Sequence, residues 1–386
     1  MKPASLAVHA GRELGARTPL APDLSPAAVH VFKDLDDYDA VARGERPGYY
    51  YGRNSNANRE MLERAVAELE GAEGGVATAS GMAALHAAIL ALAPRSGPIV
   101  ATRELYGGTA ALLRTDLEPL GYAPRFVDMT DLNAVESAME GAALVLAETI
   151  TNPLCSVPDL EAIGTMSRES GVPYLVDNTF ASPVFCRPLD LGASLVMHSA
   201  TKYIGGHSDL VAGVVVGMAP MVADVRARSI RTGTPLGPFE AWLALRGLRT
   251  LDVRMHKHAE NSLALAKAML KMHGVSQVHH PLLEESPHFE VASRLLPRGA
   301  GGMMAFDLSG GRPAVQRMID RFKLVTFAAS LGGVETTISY PELTSHRGLT
   351  PEERSTLHVS PGTVRVSVGI EDSGDIVGDF AQALAG

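Results

Sequence analysis

The chain has 386 residues, with 34 Lys and Arg against 43 Asp and Glu and a formal net charge of −9. Apolar residues make up 46% and charged residues 20%, the balance of a globular chain rather than a disordered one. The negative charge argues against a dedicated nucleic-acid binder, which needs a basic face, and two cysteines, Cys155 and Cys186, cannot build a disulfide framework or a zinc cage.

At roughly 100–200 residues per domain, two or three domains are expected. Met1 to Gly15 contains no continuous apolar run of the secretory type. The longest apolar stretch, Val211 to Val222, contains Gly213, Gly217 and Pro220 and falls short of the ~20 residues a membrane span needs. A soluble, cytoplasmic protein is expected, with no membrane or nucleic-acid partner.

Residues 1–50 lack periodicity and contain Pro3, Pro19, Pro22, Pro26 and Pro47, so they read as an extended arm that needs a surface to lie on. From residue 56 the pattern turns helical. Met61, Leu62, Ala65, Val66 and Leu69 share one face, Asn56 or Asn58 can cap the start, Glu60 and Arg64 are spaced as an i,i+4 pair, and Gly71 ends the run. Strands are expected at Val76–Thr78, Ile99–Thr102, Arg125–Asp128, Ala143–Ala147, Tyr174–Asp177, Leu195–Ser199 and Val211–Gly217. Helices are expected at Met82–Ala93, Ala110–Leu120, Leu132–Met139 and Leu160–Ser170. This alternation predicts an α/β unit, a mostly parallel seven-stranded sheet with helices on both faces. A long helix over Phe239–Met272 is expected to lead into a smaller α+β domain. That domain has strands at Met303–Leu308 and Val364–Val368 and helices at Ala314–Phe322 and Ile376–Leu384. The expected division is an arm over 1–50, a sheet domain over 51–240 and a C-terminal α+β domain over 241–386.

In such sheets ligands bind beyond the carboxyl ends of the strands. Ser199-Ala-Thr-Lys-Tyr-Ile-Gly-Gly-His-Ser-Asp209 puts Lys202 just after a strand. A lysine there can form a Schiff base with an aldehyde cofactor while Ser199 and Thr201 bind a phosphate. An isolated lysine in a Gly-rich turn is ordinarily a solvated surface group, but a second strand end changes the reading. Tyr174-Leu-Val-Asp-Asn-Thr-Phe180 places Asp177 where an unpaired carboxylate is costly, and the pyridinium nitrogen of pyridoxal 5′-phosphate (PLP) supplies a partner. Ala77-Thr-Ala-Ser-Gly-Met-Ala83 reads as strand, turn and helix start, with the N–H groups of Gly81 and Met82 free for an anion. His256, His258, His279 and His280 are not spaced as metal ligands and are expected at the surface or an interface; no metal is needed.

Together these segments resemble the Cys/Met-metabolism, or trans-sulfuration, family of PLP-dependent enzymes. Tyr-Gly-Gly-Thr at 106–109, Ser-Leu-Gly-Gly-Val-Glu at 330–335 and Arg-Val-Ser-Val-Gly-Ile-Glu at 365–371 extend the likeness over about Tyr49 to Glu371. The resemblance implies the fold-type I architecture of PLP-dependent transferases. It implies that Lys202 carries PLP and moves protons, that Asp177 pairs with the ring nitrogen, and that Ser199, Thr201, Gly81 and Met82 bind phosphate. Tyr106 would stack on the ring and assist as acid or base, and Asn152 would contact the phenolic oxygen or the substrate. Arg365 would clamp the substrate α-carboxylate, Ser330 would position that carboxylate and Lys202, and Glu335 would set γ- over β-chemistry. Tyr51 and Arg53 would reach a neighbour's PLP phosphate, which implies a homodimer as catalytic unit and a homotetramer built from two.

The chain departs from the family in reading Asn56-Ala-Asn58 for Asn-Pro-Thr and Gly108 where methionine γ-lyases carry Cys. It also reads Ala110-Ala-Leu-Leu113 after the Tyr-Gly-Gly-Thr segment, and Thr336-Thr-Ile-Ser-Tyr340 near the substrate entrance. The expected reaction is γ-elimination on a sulfur amino acid, cystathionine first. The alternatives are γ-replacement, γ-elimination from methionine or homocysteine, and a PLP-binding protein without catalysis.

Overall fold

The structure, a computed structural model, describes residues 1–12 and 18–385. Residues 13–17 of the expected arm lie outside the described residues.

The N-terminal region is not simply extended: it contains helices Pro3–His9 and Leu35–Ala42. Pro3 occupies the first helical turn, where its missing N–H is no loss, and the Asp34 side chain accepts from the Asp37 N–H to start the second helix. Ala7 and Ala10 are buried against helices Ala57–Glu70 and Leu251–Met269. Val41 of the second helix is also buried, while Val31 and Leu35 are 99% and 87% exposed. Helix Ala57–Glu70 begins at Asn56, whose side chain accepts from Asn58 N and Arg59 N, and it ends at Gly71 with φ +72°.

Seven strands form the large sheet: β1 Gly74–Thr78, β2 Ile99–Thr102, β3 Pro124–Val127, β4 Leu144–Glu148, β5 Tyr174–Asp177, β6 Leu195–His198 and β7 Gly213–Gly217. Their order is β1-β7-β6-β5-β4-β2-β3. β7 runs antiparallel to β1 and β6, and the remaining pairs are parallel. Alternate side chains feed two cores. Val100, Val145, Ala147 and Val196 join one face with Leu62 and Ile163; Ile99, Leu144, Leu146 and Met197 join the other with Leu85 and Ile89. Both faces are thus covered, which is why these strands read as continuous apolar runs.

Two expected helices are broken. Over 110–120 the chain makes helix Gly107–Ala111, a π-helical stretch Leu112–Leu117 and a 3₁₀ turn Glu118–Leu120. Pro119 has no N–H with which to continue an α-helix, and Gly121 at φ +90° ends the run. The stretch 239–272 is two helices, Pro238–Leu248 and Leu251–Met269. At the break Gly247 packs on the carbonyls of Ile204 and Gly205, where a Cβ would come within 2.1 Å of the Gly205 oxygen. Arg254 spans the junction, donating to Tyr203 O at 2.7 Å and Gly247 O at 2.8 Å.

The second sheet contains β8 Val275–His279, β9 Met303–Leu308, β10 Thr326–Phe327, β11 Thr337–Ser339 and β12 Thr363–Ser367, in the order β10-β11-β12-β9-β8. Its core is separate and is built on Met304, Phe306, Val364, Val366 and Phe380. His258 and His280 belong to the interior, not the surface: they are 0% and 2% exposed. His258 Nδ1 lies 2.6 Å from Val368 O, and His280 Nδ1 accepts from Leu282 N at 3.2 Å. Burial pushes both imidazoles down to about 4, so they are neutral packing groups. Among the described residues no group of His, Cys, Asp and Glu could hold a metal ion, and no helix is long and apolar enough to cross a membrane.

Candidate active site

The carboxyl ends of β4, β5 and β6, the start of helix Gly81–Leu92 and the loop before β11 enclose a cleft of about 850 Å³. It is lined by Gly81, Met82, Tyr106, Asn152, Asp177, Ser199, Thr201, Lys202, Ser330 and Arg365. These residues are up to 284 positions apart in sequence, and the two sheets bring them to one site.

Lys202 lies in the turn after β6, fixed by its own N–H to Ser199 O at 3.1 Å and by Gly206 N to Lys202 O at 2.7 Å. Its Nζ donates to Ser330 Oγ at 2.7 Å. Burial, and then the Arg365 guanidinium, lower its amine to about 8, so a neutral nucleophile is accessible near neutral pH. Ser330 holds φ +89°, a left-handed backbone that a non-glycine residue adopts at some cost. Arg365 ties it down by donating from Nη2 to Ser330 O at 3.0 Å. Arg365 Nη1 donates to Asn152 Oδ1 at 3.0 Å, while its Nε is buried without a hydrogen-bond partner. A buried guanidinium with a spare donor beside the lysine is suited to a carboxylate ligand.

At the opposite wall Asp177 Oδ1 accepts from Thr179 N at 2.9 Å and from the Thr179 hydroxyl. Burial nevertheless holds its carboxyl above the usual range, and no ion pair to it is present among the described residues. Glu148 stands beside it in register and is buried more strongly, and burial and the Asp177 charge push its carboxyl well up. An acidic wall of this kind calls for a cationic or protonated ligand.

The third wall is the start of helix Gly81–Leu92. Ser80 accepts from Ala83 N at 3.1 Å, and the N–H groups of Gly81 and Met82 belong to the first helical turn, which makes no intrahelical bonds. Gly81 lies against Ser199, and a Cβ there would meet Ser199 Oγ at 2.9 Å. The Thr201 hydroxyl is already engaged, accepting from Ala212 N at 3.0 Å and donating to Ala212 O at 3.2 Å. Tyr106 is 46% exposed at the mouth; a Cβ on Gly108 would come within 2.5 Å of its ring.

Three expected residues are not in the cleft. Tyr51 is exposed, and Arg53 lies 5.4 Å from the centre of its ring while donating to Ile230 O at 2.9 Å. Glu335 is exposed beside Gly333, away from the lining. The cleft also includes residues the sequence reading did not single out: Glu148, Thr179, and the loop residues Leu343, Thr344, Ser345 and Gly348. Glu148 ends a strand as Asp177 does, so the same rule could have found it. The loop offers no local signal.

A desolvated amine, a carboxyl wall lacking a cation and an anion-binding helix start fit the aldehyde, ring nitrogen and phosphate of PLP respectively. They define the class as a PLP-dependent enzyme of fold type I. The family described as "Cys/Met metabolism PLP-dependent enzyme" matches residues 4–385. The chain is 38% identical over 368 residues to an L-methionine gamma-lyase of Pseudomonas putida, covering 95% of this chain and 92% of that one. It is 37% identical over 387 residues to a cystathionine gamma-lyase of Bacillus subtilis, covering 100% and 99%. A crystal structure of cystathionine gamma synthase from Xanthomonas oryzae pv. oryzae in complex with cystathionine superposes with a TM-score of 0.94 at 36% identity, covering 100% and 98%. The chain belongs to the Cys/Met-metabolism family of PLP-dependent enzymes.

Proposed function

We propose that the chain catalyses γ-elimination on a sulfur amino acid, with cystathionine as the favoured substrate, giving cysteine, 2-oxobutanoate and ammonia. The carrying observation is the connected set Lys202–Ser330–Arg365–Asn152, which places one desolvated amine beside a carboxylate clamp. PLP, when bound, withdraws electrons from the substrate α-carbon. Lys202, Asp177, Gly81, Met82 and Ser199 would hold it, and Tyr106 would cover the ring. Thr201 supports this cradle by fixing the backbone at Ala212, since its hydroxyl is engaged there.

Arg365 binds the substrate α-carboxylate and so fixes Cα and Cβ within reach of Lys202. Nζ then takes a proton first from Cα and later from Cβ. The leaving thiolate receives its proton from the Tyr106 hydroxyl or from the Lys202 ammonium. An amine near 8 can both accept and return protons at neutral pH, as a base working at two neighbouring carbons must. The outer cleft favours a second reading. Gly108, Ala111, Val211, Leu331 and Leu343 carry no charge there, which suits the methylthio end of methionine or the thiol of homocysteine. For assembly, we propose a homodimeric catalytic unit, consistent with Tyr51 and Arg53 being exposed outside their own cleft.

A substrate panel separates these readings. Cystathionine, methionine and homocysteine are offered alone, and O-acetyl- and O-succinylhomoserine with cysteine or sulfide. 2-Oxobutanoate released fastest from cystathionine is the expected result. Fastest release from methionine or homocysteine favours the second reading. Cystathionine made from an acylhomoserine, with no oxo acid released from cystathionine, overturns γ-elimination.

A further inference from the structure

We propose that Glu148 is a positioning residue of this site: its carboxyl carries a proton, clamps the Tyr106 loop, and leaves the charge of the Glu148–Asp177 pair on Asp177. This rests on the PLP reading above and concerns a residue with no role assigned so far.

The first half is geometric. Glu148 ends β4, between the loop after β2 that carries Tyr106 and its own following loop that carries Asn152. Its Oε1 accepts from the Tyr106 N–H at 2.8 Å. One 5%-exposed side chain therefore ties the backbone of Tyr106 to the end of β4. Asn152, in the loop that follows Glu148, receives Arg365 Nη1.

The second half follows from the neighbours. Glu148 pairs in register with Asp177 on the adjacent parallel strand, so both side chains face the same way at the same sheet edge. Two desolvated carboxyls at one edge cannot both ionise cheaply. Asp177 is the better-stabilised anion, accepting from both the N–H and the hydroxyl of Thr179 and lying near His198. Glu148 faces Asp177 from β5 and Glu104 from the loop after β2, both carboxyls, while Arg365 of β12 acts on it from across the cleft. Burial and these like charges favour its neutral form. A neutral Glu148 keeps an acceptor oxygen for the Tyr106 N–H, which is all the clamp requires.

The test compares Glu148→Gln with Glu148→Ala in the holoenzyme, with PLP content read from its visible absorbance. A parent that takes up no PLP would overturn the cofactor reading itself. Glu148→Gln keeps a carbonyl acceptor and is expected to retain catalytic efficiency within about threefold, while Glu148→Ala loses about 10–100-fold through a misplaced Tyr106. Infrared difference spectra of parent and Glu148→Gln, with and without PLP, are expected to show a protonated-carboxyl band lost in the variant. Glu148→Gln as impaired as Glu148→Ala, or no such band in the parent, overturns the proposal. If Glu148→Ala fails to fold, the glutamine variant and the infrared band still decide.

Discussion

At the residue scale, the roles proposed for Lys202 make two competing demands. As a nucleophile it must be neutral to attack a carbonyl, yet as a proton donor it must be an ammonium. Burial first and the Arg365 charge second lower it to about 8, between these needs. The unfolded chain holds that proton up to about 10.5, so it binds more protons than the folded apo-protein between about 8 and 10.5. The contribution of Lys202 to apo-protein stability should therefore rise as pH increases through that window, with the penalty for its charged form fully present below about 8, while the Cys155 and Cys186 thiols, raised by burial, act in the opposite sense above about 9. The difference in stability between the parent and Lys202→Met should show this rise by urea unfolding of the apo-proteins across pH 8 to 10.5. The rate of PLP uptake by the parent should climb through about pH 8 and then level, because only the neutral amine attacks. An uptake rate flat across that range would count against the desolvated environment. Lys202 and Asp177 were legible in sequence because each follows a buried strand, where soluble α/β proteins place ligands. Glu148 satisfies the same rule but was masked by its unremarkable neighbours. Glu335, by contrast, was expected from motif likeness alone, and it is exposed and not among the residues that line the cleft.

At the element scale, a helix start does what no single side chain could. Helix Gly81–Leu92 aims its first N–H groups at the cleft, and Gly81 allows the Ser199 turn to approach it closely. Gly81→Val would put a branched side chain where even a Cβ meets Ser199 Cβ at 2.8 Å. Because Ser199 lines an open cleft, the turn can shift away rather than unfold. The expected signature is an apo-protein melting within about 8 °C of the parent, with PLP affinity weakened about tenfold, that is about 1.4 kcal/mol. Unchanged PLP affinity would show that the phosphate is held elsewhere. The strands of the large sheet were legible to within two residues because, apart from the half-buried edge strand β3, both faces are buried and largely apolar. The second sheet was less so: β8 is largely half-exposed and polar, and β10 has two residues, so no periodicity marks them. The break at Arg249–Thr250 was invisible because its cause is non-local, the seating of Gly247 on the Ile204–Gly205 backbone.

At the scale of the whole molecule, Arg365 is the only arginine among the described residues that line the cleft, so the helix start proposed to bind phosphate has no arginine of its own chain beside it in that lining. Tyr51 and Arg53 sit exposed outside the cleft, next to a segment whose Val29, Val31 and Leu35 are open to solvent. Large apolar side chains left exposed along one segment mark a surface that is covered on association. In a two-fold dimer each such segment meets its symmetry mate's surface, so residues of one chain can complete the other chain's site. Complementation tests this directly. Lys202→Ala and Arg53→Ala are each expected to be nearly inactive. If Arg53 serves its own cleft, mixing the two variants under conditions that exchange subunits restores nothing. If it serves the neighbour's, a hybrid dimer gathers both substitutions into one site and leaves the other intact. With random exchange half the dimers are hybrids, each with one working site of two, so activity should recover to about a quarter of the parent. The recovery should depend on exchange and disappear when the subunits are cross-linked before mixing. This pattern would assign Arg53 to the neighbouring cleft independently of which sulfur amino acid the enzyme cleaves.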